Sequence, residues 1–214
     1  APSYLQQARG PMPDRMETYT FLHRSPLQEI LEPEFLKAVD TERPLELARE
    51  AYFRCGSPEM IERMMHLDHK TTLADNDLRK VTRMCEAAGV EVRFPFLDDD
   101  LIAFSGQLKP EHKVHKGRLR VLFKDALRGF LPDETITKSK HGFGLPFGIW
   151  LNEHGALKQL AEDALISLGK RGIVRPGYLD YLRREHASGH ASYYGVMIWV
   201  LVELELWLQA NATP

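Results

Sequence analysis

Residues 157–169 read LKQLAEDALISLG and set Leu157, Leu160, Ala161, Ala164, Leu165 and Leu168 at i, i+3, i+4, i+7, i+8 and i+11. Apolar side chains at that spacing share one face of a helix, and that face needs a neighbour to cover it. Gly169 follows where a helix cap is expected. The same spacing recurs at Leu119, Leu122, Phe123, Ala126, Leu127 and Phe130 and predicts a second helix there. Ser25-Pro26 with Gln28, and Ser57-Pro58 ahead of Ile61, Met64 and Met65, signal other helix starts. Helices are expected to begin at about 58 and about 76.

Residues 193–208 (YYGVMIWVLVELELWL) are the most apolar segment, yet they fall short of the ~20 residues that a membrane span requires and include Glu203 and Glu205. They predict a buried core helix. Only Val90 to Phe96 (VEVRFPF) alternates as a strand does, and Pro95 limits its pairing, so an extended connection is expected. Six or more helices with almost no strand signal make the fold class mainly α, a helical array. Residues 1–20, with Pro2, Gly10, Pro11 and Pro13, are expected as a loose tail or linker, and 21–214 as the helical body.

The 214 residues are 43% hydrophobic, enough for a real core. Lys and Arg total 28 against 30 Asp and Glu, a net charge of −2, so wholesale binding to nucleic acid is not expected. Cys55 and Cys85 have no CxxC spacing, which argues against a disulfide framework and a zinc site. With no apolar run long enough for a signal peptide, a cytoplasmic protein away from membranes is expected.

Four constellations could carry chemistry. Lys138 to Gly148 (KSKHGFGLPFG) sets cations beside glycines between two helices, and such a loop can approach a phosphate and neutralise developing negative charge. An ordinary helix connection with solvated lysines would read the same way. Val90 to Asp98 (VEVRFPFLD) sets Glu91, Arg93 and Asp98 in an apolar run, where a carboxylate can be tuned as a proton acceptor. A structural Glu91–Arg93 pair is the alternative. His66 with His69, His112 with His115 and His186 with His190 lack an HExxH frame and read as surface histidines, so no metal is expected. Lys113, Lys116, Arg118, Arg120 and Lys124 form a basic cluster where phosphate contact is conceivable, although aromatic interleaving for base stacking is missing. Neither GxxxxGK[ST] nor a glycine-rich fingerprint after a strand occurs.

VEVRFPFLDDDLIAF at 90–104, then LRGFLPDETITKSKHGFGLPFGIWL at 127–151, resembles the C-terminal synthetase domain of asparagine synthetases. LDHKTTLADNDLRKVTRM at 67–84 and MIWVLVELELWL at 197–208 extend the resemblance over about residues 60–209. It implies the helical C-terminal part of a PP-loop ATP pyrophosphatase-like (adenine nucleotide α-hydrolase-like) α/β domain. There ATP and Mg2+ activate a carboxylate as an acyl-adenylate, and ammonia released from glutamine by a separate glutaminase domain attacks it, turning aspartate into asparagine. The family's SGGxDS phosphate loop does not occur in these residues, so the resemblance implies a part that is inactive alone and holds no ATP or Mg2+ by itself. Upstream PP-loop and glutaminase domains would be its partners.

Carried over residue by residue, the resemblance makes Lys140 the lysine of the K-x-GF segment, expected to contact phosphate. Glu91 becomes the carboxylate that helps deprotonate the attacking nitrogen. Arg93, Asp98, Gly142 and Gly144 are expected to assist in substrate or phosphate binding. The sequence departs from the family pattern at Thr82-Arg83, where an aspartate-arginine pair is usual, and at Cys85-Glu86-Ala87, where Ser-Met-Ala is usual. Acyl substrate and nucleophile therefore stay open. A β-lactam-forming or peptide-cyclising homologue and a non-catalytic helical interaction module are the alternatives.

Overall fold

A computed structural model describes residues 9–17, 25–139, 144–188 and 191–211. Its elements in chain order begin with α1 (Asp14–Glu17), α2 (Leu27–Ile30), α3 (Pro33–Ala38), α4 (Arg43–Arg54) and α5 (Met60–Asp68). A π-helical stretch, His69–Asp77, leads without a break into α6 (Leu78–Ala87). A 3-10 turn at Pro95–Leu97 precedes α7 (Asp99–Gln107), α8 (Pro110–Lys113), β1 (Val114–His115) and β2 (Arg118–Leu119). The chain continues as α9 (Val121–Ala126), α10 (Asp133–Thr137), α11 (Phe147–Glu153), α12 (Gly155–Gly169), α13 (Pro176–Ala187) and α14 (Ala191–Asn211). The described residues are thus mainly helical. They divide into two compact units, one within residues 1–45 and 142–214, the other within Glu46–His141.

The first unit is built on α14, which is apolar on nearly every side and so must be surrounded. It packs against α11, α12 and α13. Ala164, Leu165 and Leu168 of α12, Leu179 and Leu182 of α13, and Leu201 and Val202 of α14 are buried together. Each large apolar side chain so buried contributes about 1.5–3 kcal/mol. The segment after α2 is tied to the same core: Glu32 donates its N–H to Ile173 at 2.9 Å, Arg175 returns one to Ile30 at 2.9 Å, and Ile30 is completely buried. Inside the expected tail, Pro13 is buried and α1 forms one helical turn.

Glu205, on the buried face of α14, is 0% exposed. Its carboxylate accepts from Arg171 Nε (2.5 Å) and Nη2 (2.9 Å), from the Ser167 hydroxyl (2.6 Å) and from the Gln209 amide (2.9 Å). Burial pushes its pKa up, but these bonds outweigh burial and hold it below the usual carboxylate value of 4.5.

The second unit has little core. Among its described apolar residues only Ala48, Tyr52, Leu67 and Ile136 are buried. Sequence periodicity misreads it in two places. The expected start at about 76 is no start, because α5 runs through the π-helical stretch into α6; the Thr71 hydroxyl takes the Leu67 carbonyl at 2.8 Å, an acceptor the α ladder would otherwise use. The helix expected from Leu119 to Phe130 is only Val121–Ala126. Lys116 and Gly117, at φ 48° and 76°, make a tight reversal that sends Arg118-Leu119 back to pair with Val114-His115. Gly129, at φ 78°, turns the chain three residues after α9 ends. Residues 90–94 lie in no strand or helix, and the extended connection expected from Val90 to Phe96 gives way to the 3-10 turn at Pro95–Leu97.

Candidate functional site

Glu91 and Arg93 lie in that connection, between α6 and the 3-10 turn. They are brought together: Arg93 Nε and Nη2 each lie 2.9 Å from Glu91 Oε1. Their side chains are 75% and 84% exposed, and Val90 and Phe96 beside them are exposed as well. The apolar surroundings expected for Glu91 are therefore not supplied by the described residues of this unit. Asp98 faces the other way along the chain. Its Oδ1 accepts from the backbone N–H of Asp100 (3.1 Å) and Leu101 (3.3 Å), which caps α7. Lys140 and Gly142 lie outside the described residues. Gly144 is exposed, with open space where a side chain would project.

Glu86, one of the departures from the family pattern, accepts from Nη1 of Arg83, the arginine that the pattern keeps, at 2.8 Å on the exposed face of α6.

The end of the Lys138 to Gly148 loop is anchored more tightly than its sequence suggests. A methyl group built on Gly195 would lie 2.8 Å from the backbone nitrogen of Gly148 and closer still to its Cα, so α11 and α14 touch backbone to backbone. His186 Nε2 lies 2.9 Å from the Gly148 carbonyl oxygen, and Phe147 stacks on Trp199 with ring centroids 4.7 Å apart. His186 is buried and belongs to this anchor, which corrects its reading as a surface histidine. Its expected partner His190 lies outside the described residues. In the second unit, His66 keeps Nε2 buried without a hydrogen bond; burial and then nearby Lys70, His69 and Arg54 lower its pKa. Among the described residues no three His, Cys, Asp or Glu side chains converge as a metal site would require.

The basic cluster separates in space. Lys113 is consumed by Glu62 at 2.6 Å, both largely buried. Arg120 and Lys124 instead line a hollow of about 350 Å³ with Lys138, Thr135 and Ser139. Beside it runs an apolar groove of about 1070 Å³ lined by Phe96, Leu101, Phe104, Leu119 and Phe123, with the Phe96 and Phe123 rings edge to face at 5.8 Å. The convergence of Lys138 on Arg120, eighteen positions earlier, had no periodic signal in the sequence.

The family model described as asparagine synthase matches residues 4–209. This chain belongs to the asparagine synthase family. Asparagine synthetase [glutamine-hydrolyzing] 1 of Bacillus subtilis (strain 168) is 23% identical over 214 residues, 94% of this chain and 33% of that protein. A Mycobacterium bovis protein named only provisionally as a glutamine-hydrolysing asparagine synthetase is 26% identical over 156 residues, 73% of this chain and 24% of its own length. Asparagine synthetase [glutamine-hydrolyzing] 3 of B. subtilis is 35% identical over 65 residues, 30% of this chain and 11% of that protein. The family member described here spans a third or less of these relatives. No solved structure matches it. No helix of its described residues is long and apolar enough to cross a membrane.

Proposed function

We propose that this chain is the helical C-terminal part of an ATP-dependent amide-forming ligase of the PP-loop class. A carboxylate attacks the α-phosphorus of ATP, pyrophosphate leaves, and ammonia displaces AMP from the acyl-adenylate; with aspartate the product is asparagine. The observation that carries this reading is the family match along residues 4–209. Lys140 then contacts phosphate and offsets charge that develops as the adenylate forms. Glu91 takes a proton from the attacking nitrogen, with Arg93 fixing its orientation at 2.9 Å. The backbone anchor at Gly148, Gly195 and His186 fixes the start of α11, which follows the Lys140 segment in the chain.

ATP enters as substrate, and its phosphate cradle is supplied by a PP-loop domain elsewhere in a longer polypeptide. Magnesium would neutralise phosphate charge there; no described residue is assigned to it, because no acidic or histidine cluster forms. The exposed apolar residues of the second unit, Phe96, Phe104 and Phe130 among them, support docking against such domains, the glutaminase included. A cytoplasmic setting belongs to the same reading.

The test uses a polypeptide joining this chain to its PP-loop domain, with pyrophosphate exchange reporting adenylation and amide product reporting attack. Glu91→Gln is expected to keep much of the exchange while losing the amide, and Lys140→Ala to lower both by about a hundredfold. The chain alone is expected to release no pyrophosphate from ATP. Pyrophosphate release by the chain alone, or amide formation at an unchanged rate in both variants, refutes the reading.

A further inference from the structure

The first unit covers only part of α14. Met197, Ile198, Leu201, Val202 and Glu205 face its core and are buried. On the opposite side Tyr193, Val200 and Trp207 are 47%, 49% and 61% exposed, and they stand at i, i+7 and i+14. Val196 and Leu204 lie between them and are half-buried. At 3.6 residues per turn all of these fall on one stripe, and its steps of three, four, four and three residues are those of a helix that packs lengthwise on another helix. A contiguous apolar face of this kind marks a contact surface.

The stripe is symmetric about Val200. Tyr193 and Trp207 lie seven residues to either side of it, and Val196 and Leu204 four. Two antiparallel copies related by a two-fold axis at Val200 would set Tyr193 against Trp207, Val196 against Leu204, and Val200 against its own mate. Valine, the smallest side chain of the stripe, then sits at the centre, where the helices approach most closely. Tyr193 already touches Tyr194 and offers only its open side, so Trp207 is the main anchor.

Charge also fits a second copy. α14 contains no Lys or Arg, and Glu203 is the carboxylate at the edge of the stripe. In the two-fold pair Glu203 and its mate stand six residues apart along the helices, about 9 Å, at the wet rim. Salt screens a repulsion over that distance. An equally neutral apolar helix matches the whole face, and a basic partner would meet a single carboxylate.

We infer that α14 is a self-association surface, on which two copies of this chain pair antiparallel along Tyr193, Val200 and Trp207. The contact is small. A covered aromatic side chain buries ~150–250 Å², so the open parts of Trp207 and Tyr193 offer roughly 200 Å² per copy. Even with Val196, Val200 and Leu204 the stripe stays below the ~800 Å² per partner of a standard interface, which makes the pair weak and reversible. The inference does not rest on the ligase reading.

The test is analytical ultracentrifugation of the full 214-residue chain from about 1 µM to about 1 mM, the range in which so small an interface should assemble. A monomer–dimer equilibrium is expected, and it should tighten as salt is raised. Trp207→Ser should weaken it by about tenfold or more. Val200→Glu should do the same by placing two carboxylates on the axis. Phe104→Ser, which alters an exposed apolar residue of the second unit, should leave it unchanged. Should Val200→Glu unfold, Trp207→Ser carries the same expectation. Geometry is checked by oxidation in a background in which the free Cys55 and Cys85 are serine. Val200→Cys should cross-link to its own mate, and Tyr193→Cys should cross-link to Trp207→Cys and not to itself. A chain that stays monomeric overturns the inference and leaves the stripe to another protein or to another segment of a longer polypeptide. Equal loss of the dimer in Phe104→Ser, or self-linkage of Tyr193→Cys as readily as of Val200→Cys, overturns it as well.

Discussion

The two units of this chain solve the folding problem differently. In the unit built on α14, thirteen apolar residues from successive helices form one buried cluster, and even its buried carboxylate, Glu205, has every oxygen engaged. The unit within Glu46–His141 buries four apolar side chains and leaves Phe130 80% and Phe96 68% exposed. Its helices are laced by short-range ion pairs such as Arg79–Asp75 and Arg128–Asp125, each worth at most about 1 kcal/mol. One unit spends most of its apolar surface on itself. The other presents it outward, with Phe96, Phe104, Leu119 and Phe123 lining the apolar groove.

If that contrast is right, substitutions should separate by unit. The largest effect is expected for Leu168→Ala, at a position with no exposure: a loss of about 3–5 kcal/mol in urea unfolding, from lost transfer energy plus a cavity. A loss below about 1 kcal/mol would mean that the first unit is no better packed than the second.

Next comes Glu205→Gln, which removes the charge that Arg171, Ser167 and Gln209 were arranged to meet. Thermal unfolding near pH 7 should drop by several degrees. Because the carboxylate's folded pKa is depressed, its contribution is complete above the unfolded value of 4.5 and disappears as pH falls through the lower folded value. The gap in Tm between the two proteins should thus be constant from pH 7 down to about 5 and close below 4.5. A gap that widens on acidification would reverse the assignment.

Phe130→Ser and Phe104→Ser should alter stability by no more than about 0.5 kcal/mol, because neither ring is packed away from water. A cost above about 2 kcal/mol would show that these rings are covered in solution. Smallest is the stability effect of Glu91→Gln, under about 0.5 kcal/mol for an exposed pair. Combined with loss of amide formation, that near-silence would separate a chemical role for Glu91 from a structural one.

Legibility in the sequence followed the same division. In the first unit, burial and periodicity agree, so α12 and α14 were readable from Leu157 to Leu168 and from Tyr193 to Leu208. In the second, apolar residues are spaced for surfaces rather than for a core. Leu119, Phe123 and Phe130 therefore mimic a helix although Gly117 and Gly129 break it into a hairpin, a short helix and a turn. The reversal at Lys116 and Gly117 rests on positive φ at both residues, a conformation that the apolar spacing does not register. For the candidate site, Glu91 with Arg93 could be found because neighbours in sequence are neighbours in space. Gly195 beneath Gly148, and Lys138 beside Arg120, are juxtapositions made by tertiary folding alone.

The meeting of Gly148 and Gly195 has a mechanical meaning. Most helix crossings are cushioned by side chains, whose rotamers let one element drift against the other as the molecule breathes. Here backbone rests on backbone, with the His186 ring locking the Gly148 carbonyl, so nothing in the joint can be compressed or swapped for a different rotamer. It works as a datum surface: the starting point of α11 is referred to the long axis of α14, and random drift in sequence can preserve that alignment or lose it, but cannot adjust it by degrees.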